Sequence, residues 1–262
     1  MRTDLVSEPG DPTRPNEDFA GVGLPACGQG GCVILLDGVT PPRDGGGCVH
    51  TVPWFVGRLG AALTELTVSR RDLTLAEVLA EAIDRTAGAH AGTCDLSHPR
   101  TPQATVVLSR WSDAAVEYLV LSDSVLLLRS PGGAVAPVLD DRLARLPRAA
   151  LATDALVDTH LRNKEGGFFT AAADPSVAVR AVAGTLPRAE VGALAALSDG
   201  AARWTERFEQ GDWTALFGFL AEAGARRLVG RVRELEAADR EERVFLGRAK
   251  THDDATAVFV EL

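Results

Sequence analysis

The chain has 262 residues, of which 46% are hydrophobic and 24% charged, and its net charge is −9. This balance is ordinary for a globular protein with a sizeable core, and it excludes wholesale disorder. The acidic charge, together with the lack of any Lys/Arg block, argues against a nucleic-acid-binding protein. No apolar run approaches the roughly 20 residues of a membrane-spanning helix, so we expect neither membrane insertion nor export.

The cysteines and lysines bear on where the protein works. Four cysteines are too sparse for a disulfide framework and lack the paired CxxC spacing of zinc sites, so we expect reduced thiols in a cytoplasm. These are Cys27, Cys32, Cys48 and Cys94. Lysine occurs only at Lys164 and Lys250, while Ala, Arg and Gly are frequent, which is typical of a bacterial protein from a GC-rich genome. The composition does not shift along the chain, which indicates one domain over 1–262.

The first half of the chain predicts a buried strand followed by two helices. Residues 33–36 are continuously apolar and rich in branched side chains, as in a strand buried on both faces. Thr74 and Glu77 form a capping box at the start of the second helix. The predicted elements are a polar start (1–15), a strand and hairpin turn (21–31), the buried strand (33–36), a glycine-rich flexible loop (41–47) and amphipathic helices (52–66 and 74–90).

The second half predicts a run of short strands and then more helices. Three strands over 104–129 are typical of a meander of antiparallel hairpins, with Asp123 in the second tight turn. Residues 147–175 are interpreted as a surface insertion bordering a substrate cleft. The predicted elements are strands (104–109, 115–121, 124–129 and part of 135–146), helices (150–161 and 177–183), a strand (191–197), two helices (213–223 and 225–238) and a last strand (255–262). The balanced charges of 225–238 predict a solvated helix face.

Carboxylates recur where predicted strands end or turn. An Asp-Gly pair after a strand is common in turns, and adjacent carboxylates can cap a turn, so each pair alone has a structural explanation. If the strands share one core, however, their ends bring the acidic groups together, and such a cluster needs cations. Oxygen ligands without Cys or His favour Mg²⁺ or Mn²⁺ over zinc. The residues are Glu17, Asp18, Asp37, Asp123, Asp199, Asp253 and Asp254.

The order of these motifs resembles the metal-dependent protein phosphatase 2C family. The resemblance runs from about residue 10 to the C-terminus, and it depends on six motifs in the right order, since each is weak alone. It implies an α+β fold, a four-layer α-β-β-α sandwich of two antiparallel sheets flanked by helix pairs. The motifs are Asn16-Glu17-Asp18, Asp37-Gly38, Ala104-Thr105-Val106-Val107, Ser122-Asp123-Ser124, Ser198-Asp199-Gly200 and Asp253-Asp254-Ala255-Thr256.

The resemblance also implies a two-metal site holding Mg²⁺ or Mn²⁺. Asp37 is expected to bridge the two ions, with the carbonyl of Gly38 on one of them. Asp199 and Asp253 complete the shell of the other ion. Two such ions lower the pKa of a bridging water and neutralise phosphate oxygens, so no covalent nucleophile is needed.

Further acidic residues take outer roles in the same comparison. Glu17 and Asp18 are expected to act through water bound to the metals. Asp123 is the expected ligand of a third, weaker metal that it shares with Asp199. Asp254 stands where the family often has Asn, so we assign it a supporting role.

The chain departs from the family pattern at several positions. The phosphate-binding arginine is expected at Arg14, although Arg14 stands one residue nearer to the Asn-Glu-Asp motif than usual. Ser122 replaces a glycine and Val125 an arginine around Asp123. The histidine that serves as a proposed general acid in eukaryotic members is missing after Asp37-Gly38; His50, His252 or water could take its place.

Three functions are compatible with this sequence. The first is hydrolysis of phosphoserine or phosphothreonine in proteins, and the second is hydrolysis of a phosphorylated small molecule by the same chemistry. The third is a non-catalytic pseudophosphatase that binds a partner protein, against which the retention of Asp37, Asp199 and Asp253 argues. We expect a monomer or weak dimer.

Overall fold

The computed structural model describes residues 1–26, 28–40, 46–242, 245 and 251–262. Most of the predicted 41–47 loop, like Cys27, lies outside these residues. The strands of the described chain are β1 (Arg2–Glu8), β2 (Phe19–Gly23), β3 (Gly31–Gly38), β4 (Ala104–Trp111), β5 (Ala115–Leu121), β6 (Val125–Arg129), β7 (Val135–Val138), β8 (Val182–Pro187), β9 (Ala193–Leu197) and β10 (Ala255–Glu261). The α-helices are α1 (Val52–Ser69), α2 (Leu75–His90), α3 (Asp154–His160), α4 (Asp199–Glu206), α5 (Trp213–Ala223) and α6 (Ala225–Glu242).

The strands form two five-stranded antiparallel sheets, in the orders β1-β10-β9-β6-β7 and β2-β3-β4-β5-β8. Helices α1 and α2 cover the outer face of the second sheet, and α4, α5 and α6 cover that of the first. The inner faces of the two sheets pack on each other. The predicted four-layer α-β-β-α sandwich is therefore confirmed.

Strand β3 shows why a continuous apolar run lies at the centre. Successive side chains on a strand point to opposite faces. Ile34 and Leu36 pack against the α1/α2 layer, while Val33 and Leu35 pack against the other sheet, and all four are fully buried. Each such side chain contributes roughly 1.5–3 kcal/mol through the hydrophobic effect. The strand is thereby fixed in register, and it delivers Asp37 to the edge of the core.

The predicted meander is wrong beyond its first hairpin. β4 and β5 pair as expected, but β5 then pairs with β8, whereas β6 belongs to the other sheet between β7 and β9. Residues 122–124 thus cross between sheets, and Ser122 adopts a left-handed φ of 69° at the crossing. Strands buried on both faces carry no alternation that reveals which sheet they join, so the sequence could not distinguish a hairpin from a crossing.

Other differences concern short or exposed elements. The helix predicted over 177–183 is wrong: a 3₁₀ turn (Pro175–Arg180) is followed by the edge strand β8, whose residues are largely exposed. The polar edge strand β1 and the eight-residue helix α4 were not predicted, because neither carries a long apolar pattern. The strand in 135–146 is reduced to β7, and the helix in 150–161 to a 3₁₀ turn (Arg148–Leu151) and α3. Among the described residues, no helix combines the length and apolar character required to cross a bilayer.

Candidate active site

Four of the predicted carboxylates converge on one cleft between the ends of the two sheets. Asp37 lies at the end of β3, Asp123 in the crossing from β5 to β6, Asp199 at the start of α4 and Asp253 just before β10. The cleft has a volume of about 440 Å³, and its lining also includes Gly38, Thr40, Thr105, Arg162, Phe168, Thr170 and Arg203. The prediction that distant parts of the chain bring these acidic groups together therefore agrees with the geometry.

Asp37 and Asp199 are in direct contact. The backbone N–H of Asp199 donates a hydrogen bond to Oδ2 of Asp37 over 3.2 Å, and the hydroxyl of Thr105 accepts one from the Asp37 N–H at 3.3 Å. Burial raises the pKa of Asp37 well above its ordinary value, and the charges of Asp199, Asp18, Asp123 and Asp253 raise it further. The carboxylate form of Asp37 is thus costly unless positive charge balances it.

Asp199 is held by the start of α4, where a negative side chain also meets the positive end of the helix dipole. Ser198, the preceding residue, is tied to β10 in both directions: its N–H donates to the carbonyl of Thr256 at 3.0 Å, and its Oγ accepts from the Thr256 N–H at 2.9 Å. Burial raises the pKa of Asp199 to about 7, with further contributions from Asp253 and Asp123. The first sheet therefore fixes Asp199 opposite Asp37.

Asp123 is positioned by the strained crossing. The N–H of Ser122 donates to Oδ2 of the buried Asp140 at 2.8 Å, and the Ser122 hydroxyl donates to Oδ1 of Asp123 at 3.2 Å. Burial raises the pKa of Asp123. Glu206, on the last turn of α4, lines a second depression beside Asp123, and burial raises its pKa to about 7. Glu206 was not predicted as a site residue, because it belongs to a helix that the sequence pattern did not reveal.

Asp253 is bound into a buried charge network. Arg203 donates to Oδ2 of Asp253 at 2.9 Å and to Glu236 at 2.7 Å, and both Arg203 and Glu236 are buried. Arg233 donates to Glu236 and to the carbonyl of Asp253, each at 2.7 Å. His252 lies 3.0 Å from Glu236 through Nδ1. The solvated face predicted for this helix is therefore wrong at Arg233 and Glu236, where α6 turns charge inward to support Asp253.

The N-terminal acidic pair lies beside the cleft. Glu17 accepts a hydrogen bond from Thr40 at 2.6 Å, and its N–H donates to Asp254 at the same distance. Oδ2 of Asp18 accepts from Thr256 at 2.7 Å, whereas Oδ1 of Asp18 is buried without a hydrogen-bond partner. Burial raises the pKa of Asp18 to about 7. Asp254 also accepts from Gly10, so its two oxygens organise the N-terminal loop.

Arg14 does not line the 440 Å³ cleft. It is exposed and borders a smaller adjoining depression with Glu17, His252 and Asp254, which shares Thr40 and Asp253 with the cleft. His50 lies away from both, beside Cys48, His90 and Cys94. The arginines in the cleft lining are instead Arg162 and Arg203, neither of which was proposed from the sequence. Arg203 belongs to α4, the helix that the sequence pattern did not reveal, and its partners Glu236 and Asp253 are distant in sequence, so no local signal pointed to it.

The donor set fits hard divalent cations. Among the described residues that line the cleft, five are carboxylates (Asp37, Asp123, Asp154, Asp199 and Asp253) and two are arginines. The excess of acid, the raised pKa values and the unpartnered oxygen of Asp18 all indicate that positive charge belongs here. Oxygen ligands suit Mg²⁺ or Mn²⁺. The residues present therefore fit the cations that the resemblance implied.

Comparison by sequence finds no matching protein-family model and no matching curated protein. Comparison by structure finds bacterial phosphatases along the whole chain. Serine/threonine phosphatase Stp1 from Staphylococcus aureus is 13% identical, with a TM-score of 0.63 over 100% of this chain and 95% of its own. Serine/threonine phosphatase PstP/Ppp from Mycobacterium tuberculosis is 16% identical, with a TM-score of 0.63 over 100% and 98%.

A third structure bears on metals. The catalytic domain of the serine/threonine protein phosphatase PstP, in complex with two manganese ions, is 15% identical, with a TM-score of 0.57 over 99% of this chain and 97% of its own. Identities this low establish the fold and not the activity. The resemblance inferred from the six motifs is thus confirmed at that level, and the chain has the fold of the PP2C-type serine/threonine phosphatases.

Proposed function

We propose that this chain is a metal-dependent phosphatase that hydrolyses phosphomonoesters, with phosphoserine and phosphothreonine in proteins as the leading substrates. The observation that carries the proposal is the convergence of Asp37, Asp123, Asp199 and Asp253 on one cleft. The fold shared with bacterial serine/threonine phosphatases supports the same reaction class. A cytoplasmic location stays a prediction.

The proposed metal ligands are those that the motif resemblance to the protein phosphatase 2C family implies. Asp37 and the carbonyl of Gly38, with Asp199 and Asp253, would hold two Mg²⁺ or Mn²⁺ ions, and Asp123 with Asp199 a third. When bound, such ions activate water and neutralise the charge that develops on phosphate. Their positive charge would also offset the burial and the neighbouring negative charges that raise the pKa values of Asp37 and Asp199.

The remaining residues of the chain would position these groups and the substrate. Arg203 holds Asp253 in place through its 2.9 Å hydrogen bond. Glu17 and Asp18 present carboxylate oxygens at the edge of the site, where they can accept hydrogen bonds from water. Arg162 in the cleft and Arg14 at its border are the candidates for binding phosphate oxygens, since a guanidinium group matches them with two parallel hydrogen bonds.

A small phosphorylated molecule is the second candidate substrate, because the 147–175 segment forms one wall of the cleft. Leu151, Asp154, Val157 and Phe168 from this segment line it together with the metal-site residues. A wall close to the reacting centre can limit the substrate to a compact one. We propose that the segment is an insertion into a single domain spanning 1–262.

The test is hydrolysis of p-nitrophenyl phosphate, a panel of phosphoserine and phosphothreonine peptides, and a panel of phosphorylated metabolites, each with and without Mn²⁺ or Mg²⁺. We expect metal-dependent turnover, with the peptides preferred. Preference for a metabolite would identify the second candidate. Absence of turnover on every substrate, together with absence of Mn²⁺ binding by calorimetry, would contradict the proposal and favour a partner-binding pseudophosphatase.

A further inference from the structure

We infer that Cys48, His50, His90 and Cys94 form a structural zinc site, separate from the carboxylate cleft. Each of the four residues offers one ligand atom, and these atoms all lie within 4.8 Å of one another. His90 is buried, and the other three are partly buried. None of the four lines the 440 Å³ cleft. Two thiols and two imidazoles are a common ligand set of structural zinc.

The sulfur–nitrogen distances are close to those of a zinc tetrahedron. Sγ of Cys48 lies 3.3 Å from Nδ1 of His90 and 3.6 Å from Nδ1 of His50, and Sγ of Cys94 lies 3.3 Å from Nδ1 of His50. With Zn–S near 2.3 Å and Zn–N near 2.05 Å, a regular tetrahedron has S–N edges of about 3.6 Å and an S–S edge of about 3.8 Å. The two sulfurs are 2.7 Å apart, so they must separate by about 1 Å to admit the ion.

Local structure gathers the ligands in two pairs. Cys48 and His50 come just before Thr51, whose side chain caps α1. His90 is the last residue of α2, and the N–H of Cys94 donates to the His90 carbonyl at 3.0 Å, which adds one helical turn and brings Cys94 beside His90. The N–H of Asp95 donates to the carbonyl of Gly47 at 2.8 Å and joins the two loops.

The surroundings of the cluster hold the histidine rings in place. Trp54 stacks on His50 with ring centroids 3.9 Å apart and lies 5.3 Å from His90. The N–H of His50 donates to Sγ of Cys48 at 3.4 Å and fixes this sulfur beside the His50 ring. Nε2 of the buried His90 has no hydrogen-bond partner, so the contacts of this ring with the cluster run through Nδ1. The ligands are therefore preorganised by packing rather than by exposed loops alone.

The ligand chemistry selects zinc and distinguishes this site from the cleft. Thiolate and imidazole prefer zinc over Mg²⁺ or Mn²⁺, which take oxygen ligands, so the two sites divide the metals between them. A disulfide between Cys48 and Cys94 is the competing state. A disulfide would leave both histidine nitrogens facing sulfurs that carry no thiolate charge. A tetrahedral zinc ion would instead bind all four side chains. Four protein ligands complete the shell, as in structural and not catalytic zinc sites.

A zinc ion here would fasten the loops that flank Asp37. The loop carrying Cys48 and His50 follows Gly38, and the loop carrying Cys94 leads into β4, whose Thr105 pairs with Asp37. The N–H of Val39 donates to the carbonyl of Gln103 at 2.9 Å between these same loops. The ion would therefore support the scaffold of the cleft without taking part in its chemistry.

The first experiment uses the wild-type chain, purified under reducing conditions and loaded with Co²⁺. We expect one equivalent of Co²⁺ per chain to give thiolate-to-metal charge transfer in the near ultraviolet and intense tetrahedral bands in the visible, whatever further Co²⁺ the cleft binds. Carboxylate-bound Co²⁺ in the cleft gives neither signature. Zinc analysis of the unexchanged protein should give one zinc per chain that survives dialysis.

Variants assign the signal to the cluster. Cys48→Ser and Cys94→Ser are expected to lose the zinc and the charge-transfer band. Cys32→Ala removes a buried thiol outside the cluster, and Asp37→Asn removes a proposed ligand from the cleft. Both variants should keep the zinc and the charge-transfer band.

If the cysteine variants fail to fold, thiol alkylation of the wild type decides between bound zinc and a disulfide. Zinc-bound thiols can be alkylated after treatment with a chelator alone, whereas sulfurs in a disulfide can be alkylated only after treatment with a reductant. A disulfide in the reduced preparation, or Co²⁺ without charge transfer, would overturn the inference.

Discussion

The N–H of Asp199 donates a hydrogen bond to Oδ2 of Asp37 and thereby joins the ends of the two sheets at the cleft. Asp37 belongs to the sheet covered by α1 and α2, and Asp199 begins a helix that covers the other. Two carboxylates that repel each other are thus fixed by the backbone of one of them. Their negative charges are close together and their positions are fixed, and a bound cation would stabilise such a pair.

Replacing Asp37 by Asn tests this pair. Asn keeps an oxygen that can accept the Asp199 N–H but removes the charge. We expect metal-dependent hydrolysis of p-nitrophenyl phosphate to fall by about 10³-fold or more, because the metal contribution is worth several kcal/mol. The melting temperature without added metal should stay the same or rise. Asp84→Asn, on the exposed side of α2, is the matched control and should leave turnover unchanged. Full turnover in Asp37→Asn would contradict the site assignment.

Stability without Mg²⁺ or Mn²⁺ should depend on pH in an unusual direction. The pKa values of Asp18 and Asp199 are raised to about 7, above those of the unfolded chain near 3.9, so the folded state binds more protons between these values. The free energy of unfolding should therefore fall as pH rises from about 4 to about 7, by up to about 4 kcal/mol for each of the two groups.

Urea unfolding in metal-free buffer at several pH values measures this dependence, and added Mn²⁺ should restore the lost stability near neutral pH. Asp199→Asn should make the profile less steep, since it removes one of the groups with a raised pKa, while Asp18 and Glu206 remain. A wild-type profile that rises over the same range would show that the carboxylates are stabilised in their charged form without metal.

The charge network behind Asp253 predicts a large cost for removing Arg203. Arg203→Met would remove this partner of Asp253, and among the described residues the buried Glu236 would retain Arg233 and His252. Breaking a buried ion pair costs about 3–5 kcal/mol, which corresponds to a fall in melting temperature of roughly 6–20 °C for a chain of this size. Arg226→Met, on the exposed face of α6, should change stability by less than about 0.5 kcal/mol. Equal melting temperatures for the two variants would show that Arg203 is dispensable.

The close approach around Gly38 gives a steric prediction. A Cβ at position 38 would lie 2.3 Å from both the carbonyl oxygen of Glu17 and a methyl group of Val52, whereas one at Gly21 meets nothing closer than 3.5 Å. We expect Gly38→Ala to destabilise the fold by about 1–3 kcal/mol and to lower turnover, because both Asp37 and Glu17 must shift. Gly21→Ala should be nearly neutral in urea unfolding and in activity. Similar effects of the two substitutions would show that the backbone at Gly38 can shift to accommodate a Cβ atom.

The sequence predicted those features that local patterns determine. The buried strand ending in Asp37, the capping box of α2 and the order of acidic motifs are all local, and the structure confirms the strand and the capped helix. The crossing at Ser122 was missed because a hairpin and a change of sheet have the same local pattern when both strands are buried. Arg203 and Glu236 were missed because their pairing connects two helices 33 residues apart.

The cluster of Cys48, His50, His90 and Cys94 was also not predicted from the sequence, because its members come from distant parts of the chain. Spacing rules compare cysteines with cysteines, but here each cysteine lies close in sequence to a histidine, Cys48 to His50 and Cys94 to His90. The two pairs meet only because α1 and α2 lie side by side, so that the start of one and the end of the other come together. Long-range partners of this kind are set by packing, and the pattern of a single sequence does not encode them directly.

Arg162 and Arg14 make different predictions for phosphate binding. The side chain of Arg162 is 10% exposed and lines the cleft, and burial together with Arg100 lowers its pKa. A partly desolvated cation binds an incoming anion more strongly than a hydrated one. Arg162→Ala should therefore raise KM for p-nitrophenyl phosphate by about 10–100-fold, the range of one charge-assisted hydrogen bond, with a smaller change in kcat. Arg14→Ala, at the exposed border, should raise KM less.

Lys164→Ala is the control for this comparison, because Lys164 is exposed in the same segment. Arg162 also donates to Asp158 at 3.2 Å, so melting temperatures must be compared to separate lost binding from a loosened 147–175 segment. If Arg14→Ala raises KM more than Arg162→Ala at equal stability, the phosphate-binding residue is the one that the resemblance implied. If neither variant changes KM, the cations bound by the carboxylates must supply the positive charge that the phosphate meets.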